Sequence, residues 1–179
     1  MRKLMLPLDE KTRESLKCGE ELLLSGYIYT ARDAAHKRMM NQIPFDIKDS
    51  TIYYVGPSAS KPNEIYGSCG PTTASRMDAY TPYLLDKGLK CIIAKGKRSK
   101  EVKEALVSNK AIYFVTIGGL GAYLKNCVKE VEEIAYADLG TEAIKKLYIE
   151  DFPVFVGIDV KGEDIYDWFK KYSFKATCR

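Results

Sequence analysis

The chain has 179 residues, of which 46% are hydrophobic and 29% charged, and its formal net charge is +4. These values fit one globular domain over residues 1–179, and no apolar run reaches the roughly 20 residues of a membrane span. Acids are interspersed among the Lys and Arg residues, which argues against a nucleic-acid-binding stripe, and the apolar start is too short for a secretory signal, so we expect a cytoplasmic protein.

Short apolar segments alternate with helical patterns along the chain. In the first half of the chain, the sequence predicts a strand over 21–30, a helix over 31–42, a strand over 50–58 and helical pieces over 72–80 and 81–88. A strand over 90–96, a helix over 99–109, a strand over 111–119 and a helical piece over 120–128 follow. The last predicted elements are a strand over 129–138, a helix or a helix-to-strand passage over 141–151, a strand over 152–159 and a helix over 162–172. This alternation predicts an α/β fold. The β-rich first third indicates a mixed sheet flanked by helices.

The cysteines do not form a recognisable ligand set. The chain has five of them, and no two have the C-x-x-C spacing: Cys18, Cys69, Cys91, Cys127 and Cys178. An odd number without close pairs argues against a disulfide framework and against a metal or iron–sulfur site built by this chain alone. We therefore expect structural thiols, with Cys69 worth attention because its loop is unusual.

Three predicted turns carry a cation close to a helix start. In "YTARDAAH", Thr30 and Asp33 have the spacing of a capping box, and Arg32 falls in the first turn. His36 follows Arg32 by one turn and is a candidate for a supporting role behind the site. Taken alone, the segment reads equally as an ordinary capped helix with an exposed arginine.

The second turn, "GSCGPTTASRMD", is the least ordinary stretch of the chain. Gly70 frees the backbone, and Pro71 suits the first position of a helix, whose free N–H groups attract anions. Thr72 adds a hydroxyl, and Arg76 would lie on the same helix face, where its guanidinium fork matches a carboxylate.

The third turn, "IIAKGKRS", places Lys95 beside a glycine at the end of a buried strand, the usual ligand-facing end in an α/β sheet. Together, Arg32, Arg76, Lys95 and Thr72 predict a receptor for a small anion, either a dicarboxylate or a phosphate. The sequence shows no paired acids and no His/Cys dyad, so these residues look like half of an active site.

At these residues the chain resembles the β subunit of the class I iron–sulfur hydro-lyases, fumarate hydratase and L(+)-tartrate dehydratase. The segment "GPTTASRMDAYTP" is similar to the family signature G-P-T-T-x-x-R-M-D, and "GYIYTARDAAHKRM", "CIIAKGKRS" and "AIYFVTIGGLGAYL" are similar to flanking family segments. The likeness covers nearly the whole chain.

The resemblance implies a swivelling β/β/α domain that works with a separate α subunit in a dimer or heterotetramer. It places a 4Fe–4S cluster on that partner, with no metal bound by this chain. It implies that Arg32, Arg76 and Lys95 hold the substrate carboxylates and that Thr72 removes the carbon-bound proton of malate. The partner's iron would act as a Lewis acid on the substrate hydroxyl.

The resemblance favours a lyase of the tricarboxylic acid cycle that hydrates fumarate to (S)-malate. L(+)-Tartrate dehydratase is the alternative within the family, because the residues themselves do not separate substrates that differ by one hydroxyl. A non-catalytic anion-binding module is an alternative from another class. We expect no interaction with membranes or nucleic acid.

Overall fold

The structure is a computed structural model, and it describes residues 1–60 and 62–172. Within this part the strands are β1 (Arg2–Met5), β2 (Glu21–Thr30), β3 (Thr51–Tyr53), β4 (Cys91–Ala94), β5 (Ile112–Val115), β6 (Val128–Ala135) and β7 (Ile144–Ile158). The α-helices are α1 (Glu10–Ser15), α2 (Asp33–Met39), α3 (Thr81–Asp86), α4 (Lys100–Ser108), α5 (Gly121–Leu124) and α6 (Ile165–Tyr172). Three 3₁₀ turns cover Ala74–Met77, Lys125–Cys127 and Ala137–Glu142.

The two longest strands, β2 and β7, form an antiparallel pair that organises the sheet. β2 also pairs in parallel with β1 and β3, and the parallel run continues through β4 to β5. β5 and β6 then pair antiparallel with β7. Strands β2, β3, β4, β5 and β7 therefore form a closed ring, and the predicted mixed α/β class is confirmed.

Side chains of the central strands alternate between two apolar clusters. On β4, Cys91 and Ile93 belong to a cluster shared with β7, whereas Ile92 and Ala94 belong to a cluster shared with helices α2, α3 and α4. All four side chains are buried, which explains why β4 reads as a continuous apolar run. Because each buried Ile contributes about 1.5–3 kcal/mol, this double burial holds the carboxyl end of β4 firmly.

β7 corrects one part of the predicted element order. Of the two predictions for 141–151, the helix is wrong, because Ile144–Ile158 forms one strand of 15 residues. The helix-to-strand passage agrees with the structure, since the 3₁₀ turn over Ala137–Glu142 leads into this strand. The amphipathic pattern there arises from neighbours that change along the strand: β6 lies beside the first half and β5 beside the second. Strand β1 and helix α1 were not predicted, since β1 is mostly exposed and has no buried alternation.

Helix α6 packs against the rest of the fold near the turn that follows β4. The Tyr166 hydroxyl accepts a hydrogen bond of 2.9 Å from the Gly96 amide. The Trp168 ring lies over Gly19, so closely that a Cβ at Gly19 would come within 2.7 Å of it. α6 therefore anchors the backbone next to Lys95.

Candidate active site

The segment that carries Thr72 is extended and lies between the ends of β3 and β4. The Thr72 amide donates to the Tyr54 carbonyl at 2.7 Å, and its carbonyl accepts from the Lys95 amide at 3.3 Å. The Ala74 amide then donates to the Lys95 carbonyl at 2.8 Å. These bonds fix the Thr72 backbone on both sides and place it directly beside Lys95.

The predicted helix at this point is corrected by the structure. The expected α-helix with Pro71 at its first position is wrong, because Pro71 bridges Val55 and the helical part is a 3₁₀ turn over Ala74–Met77. Thr73 precedes this turn and makes no capping hydrogen bond with its side chain. The backbone groups that would have formed the helix start pair with β3 and β4 instead. The positive charge of this segment therefore comes from the Arg76 guanidinium and not from the N-terminus of a helix.

Two glycines allow the signature loop to pack against the turn before α5. A Cβ at Gly121 would lie 2.7 Å from the Gly70 amide nitrogen, so the two backbones are in direct contact. The Cys69 amide donates to the Gly121 carbonyl at 3.1 Å, and the Tyr53 hydroxyl donates to the Cys69 carbonyl. The Cys69 side chain is fully buried, and burial raises the pKa of its thiol to about 12. Cys69 thus supports the loop from below and is not a reactive thiol.

Arg32 lies at the start of α2, but the predicted capping box is wrong. Arg32 itself is the N-cap residue, and no side chain caps the helix. Thr30 is the last residue of β2, where its hydroxyl accepts from the Lys145 amide at 3.0 Å. The Asp33 carboxylate turns away from the helix start and contacts arginines.

Asp33 joins the two predicted arginines. Its Oδ2 accepts from Arg32 Nε at 3.2 Å, its Oδ1 accepts from Arg76 Nε at 2.9 Å, and Arg76 Nη2 lies 2.8 Å from Oδ2. Burial by itself would raise the pKa of Asp33, but the hydrogen bond from its own backbone and those from Arg32, together with the charge of Arg76, outweigh burial and lower it. Asp33 is therefore ionised at neutral pH. The sequence pattern predicts only a capping role for Asp33.

The Arg32 side chain is also held from two other directions. Its Nε lies 3.4 Å from Glu142 Oε1, while Glu142 Oε2 accepts from the Ala34 amide at 3.2 Å. A Cβ at Gly56 would be only 2.5 Å from Arg32 Nη1 and 2.7 Å from its Cδ. The guanidinium thus packs against the backbone of Gly56, three residues after β3 ends.

Lys95 extends toward the turn after β5. Its Nζ would be 3.4 Å from a Cβ at Gly118, and no described residue accepts a hydrogen bond from it or forms an ion pair with it. The exposed side chains Ile117, Leu120 and Tyr123 belong to the same turn and the helix that follows. Lys95 therefore offers an unpaired ammonium next to an apolar, exposed surface.

All four predicted site residues lie at the same end of the sheet. Arg32 follows β2, Thr72 is inserted beyond β3 and β4, Lys95 follows β4, and Arg76 is joined to Arg32 through Asp33. Loops beyond the carboxyl ends of parallel strands are the usual ligand-binding position in α/β sheets. Three cations and one hydroxyl at this end can receive a small dianion.

A buried polar network lies behind the site and was not predicted. The Arg98 side chain is fully buried, with its Nε bonded to Asp78 Oδ1 at 2.8 Å and its Nη2 bonded to Thr81 Oγ1 at 2.7 Å. Asp78 also accepts from the Ser99 amide at 2.7 Å, which begins helix α4. This network ties the turn after Lys95 to the segment that carries Arg76. The sequence signal was the "RMD" triplet, whose aspartate had no assigned role.

His36 belongs to the same interior and does not reach the surface. Its ring is buried against Tyr54, and Nδ1 donates to the Arg32 carbonyl at 3.0 Å. Burial lowers the pKa of His36 to about 4, and the charge of Arg98 acts in the same direction. His36 is therefore a neutral support for the backbone of Arg32.

The part of the chain that the structure describes contains no helix long and apolar enough to cross a membrane. In the same residues, no group of three or more His, Cys, Asp and Glu side chains is arranged to hold a metal ion.

Comparison with known proteins gives a consistent set of relatives. The family described as fumarase C-terminus matches residues 3–169. Fumarate hydratase 2 of Leishmania major is 41% identical over 171 residues, which are 89% of this chain and 30% of that protein. The anaerobic class I fumarate hydratase of Escherichia coli (strain K12) is 41% identical over 153 residues, 81% of this chain and 28% of that protein.

A third relative is much shorter than the two fumarate hydratases. The putative L(+)-tartrate dehydratase subunit beta of Methanocaldococcus jannaschii is 35% identical over 176 residues, 92% of this chain and 90% of that protein. The chain thus spans less than a third of the two fumarate hydratases and nearly all of the tartrate dehydratase subunit.

Proposed function

The chain belongs to the fumarase C-terminus family, and from that premise we propose that it is the β subunit of a two-subunit iron–sulfur hydro-lyase. The proposed reaction is the reversible hydration of fumarate to (S)-malate, a step of the tricarboxylic acid cycle, in the cytoplasm. The observation that supports the proposal is that Arg32, Thr72, Arg76 and Lys95 lie at the same end of the sheet, beyond the carboxyl ends of the parallel strands. In the proposal, the chain is a swivelling β/β/α domain.

A partner subunit is part of the proposal because of chain length. The match covers 28% and 30% of two fumarate hydratases but 90% of a subunit named as beta. We infer that a separate α subunit supplies the remainder, in a dimer or heterotetramer.

The 4Fe–4S cluster is assigned to that partner. The described cysteines do not fit a cluster, because all four are buried and burial raises the pKa of each thiol: Cys18, Cys69, Cys91 and Cys127. Cluster ligands are thiolates, and these environments oppose the thiolate form.

The cations of this chain bind and orient the substrate. Two guanidinium groups and one ammonium match the two carboxylates of malate or fumarate, since guanidinium forks and carboxylates pair with good geometry. In the proposal, these cations hold the substrate with its reacting carbon at the Thr72 oxygen, and such positioning lowers the barrier without new chemistry.

Thr72 is the proposed base for the carbon-bound proton. In dehydration, malate loses a proton from one carbon and hydroxide from its neighbour, and the Thr72 oxygen would accept the proton. A neutral hydroxyl is a weak base, so the step requires cations that stabilise the alkoxide. Lys95, whose backbone amide donates to the Thr72 carbonyl, and Arg76 are the cations proposed for this role.

The proposal is tested by assembling the chain with its cluster-bearing partner and measuring malate–fumarate interconversion. Thr72→Val should reduce kcat by about 10²-fold or more while a dicarboxylate inhibitor still binds. Thr141→Val, at an exposed position, is the matched control. An assembled complex that turns over neither malate nor tartrate would support a non-catalytic anion-binding module instead.

L(+)-Tartrate dehydratase is the second candidate. The tartrate dehydratase subunit matches this chain in length, whereas the fumarate hydratases match it at higher identity. Comparing kcat/KM for malate and tartrate in the same assembled complex decides between them.

A further inference from the structure

We propose that Asp33 is a positioning residue for substrate binding: it holds the Nε sides of Arg32 and Arg76 so that their Nη groups face the substrate carboxylates. This inference rests on the function proposed above. The sequence predicts only a helix-capping role for Asp33, and in the structure no side chain caps α2.

The geometry of the two guanidinium groups supports this role. Arg76 contacts Asp33 through Nε at 2.9 Å and through Nη2 at 2.8 Å, which is a side-on approach. Arg32 contacts Asp33 through Nε alone, at 3.2 Å. Among residues 1–60 and 62–172, nothing accepts a hydrogen bond from Nη1 of Arg76 or from either Nη of Arg32. The outer donors of both arginines are therefore available to a ligand.

The position of Asp33 explains how one carboxylate can serve both arginines. Asp33 is the first residue of α2 and directly follows the N-cap residue Arg32, so the two side chains leave adjacent backbone positions and meet through Nε and Oδ2. Arg76 reaches Asp33 from a separate segment, the 3₁₀ turn over Ala74–Met77. Asp33 thus couples the two substrate-binding segments through the hydrogen bonds that its carboxylate accepts.

The other neighbours of Arg32 are compatible with a fixed guanidinium. Glu142 contributes a weaker contact to the same Nε at 3.4 Å, and Gly56 provides a flat backbone surface under the Nη1 side. Because Nε is engaged by two carboxylates, the remaining freedom of Arg32 is limited to a small rotation of its planar end.

Charge and positioning predict opposite effects for removal of the carboxylate, so the sign of the result is informative. Asp33 carries a negative charge between two cations, and its neutralisation by Asp33→Asn leaves the site more positive. Coulomb attraction alone would then bind a dianionic substrate more tightly and lower KM. Loss of positioning would release both guanidinium groups and raise KM.

The test uses the assembled complex of this chain with its partner. We expect Asp33→Asn to raise KM for malate by about 10-fold to 100-fold, with a smaller fall in kcat, and Asp33→Glu to recover part of the loss. Asp138→Asn is the matched control, because Asp138 also accepts from an arginine, Arg38, at 2.7 Å, but at an exposed position outside the site. The control should keep KM within about twofold.

A second readout separates this inference from the proposed function. The dissociation constant of succinate, measured by calorimetry on the same complexes, should rise with Asp33→Asn in parallel with KM. An active wild-type complex in which Asp33→Asn leaves KM and succinate affinity unchanged, or improves them, overturns the positioning role alone. An inactive wild-type complex contradicts the proposed function, while succinate affinity still decides the role of Asp33.

Discussion

Acid should destabilise this protein through its only histidine. His36 is buried, and its Nδ1 donates to the Arg32 carbonyl, which leaves Nε2 without a hydrogen-bond partner in the described structure. Protonation would place a charge and a new donor where nothing accepts it, in the field of Arg98. The pKa of His36 accordingly falls from 6.5 to about 4 in the folded protein.

The sign and size of the effect follow from linkage. The folded-state pKa is depressed, so the unfolded chain takes up the proton first as pH falls. The stability is complete above pH 6.5 and is lost as pH falls toward 4. At about 1.36 kcal/mol for each pKa unit, the full effect is about 3 kcal/mol, and about 2.5 kcal/mol of it is lost by pH 4.5.

The assay is chemical denaturation of the protein at pH values between 7 and 4.5, with His36→Phe as the comparison. Phenylalanine keeps an aromatic ring against Tyr54 and removes the titrating group. Carboxylates titrate in both proteins, so the difference between the two curves isolates His36. We expect the wild-type free energy of unfolding to fall by about 2.5 kcal/mol more than that of the variant over this range. Parallel curves would refute the reasoning.

Three substitutions separate binding from loop structure. In Gly56→Ala, the new methyl would lie 2.5 Å from Arg32 Nη1 and 2.7 Å from its Cδ, which displaces the Arg32 side chain from Asp33 and Glu142 but moves no backbone, so we expect KM to rise about 10-fold with Tm nearly unchanged; a large fall in Tm would contradict this. In Gly121→Ala, the methyl would lie 2.7 Å from the Gly70 backbone nitrogen, so Tm should fall by about 2–10 °C and kcat with it; an unchanged Tm would show that the loop yields freely. Arg76→Ala should raise KM more than 10-fold and also lower kcat; unchanged kinetics would remove this arginine from the site.

Local sequence signals were sufficient for the central elements of the fold. Four consecutive apolar residues are sufficient to predict β4, and the helix predicted over 99–109 begins at its serine, because Ser99 Oγ accepts from the Val102 amide at 3.3 Å. β7 was divided wrongly because its burial pattern depends on three different partner strands. Such long-range pairing leaves no period within a short window of sequence.

In the candidate site, too, local sequence predicts the residue types, whereas the backbone conformation depends on contacts with residues distant in sequence. The residue types of the signature indicated Thr72 and Arg76, yet the expected helix is absent because the backbone at Thr72 pairs with Tyr54 and Lys95. The spacing of Thr30 and Asp33 predicted a cap, but Asp33 contacts Arg76, 43 residues away. The spacing of residues along the chain predicts local contacts only. It contains no information about a residue distant in sequence that pairs with the same side chain after folding.

The docking of α6 also gives this protein an optical reporter. Trp168 is the only tryptophan of the chain, and it lies over Gly19 on the helix whose Tyr166 holds the Gly96 amide beside Lys95. The indole is not part of the proposed site, so a ligand does not quench it by contact. Its emission instead depends on the packing of helix α6, which anchors the turn that contains Lys95 and Gly96. Fluorescence of the unlabelled protein can therefore report release of that helix separately from any change in catalysis.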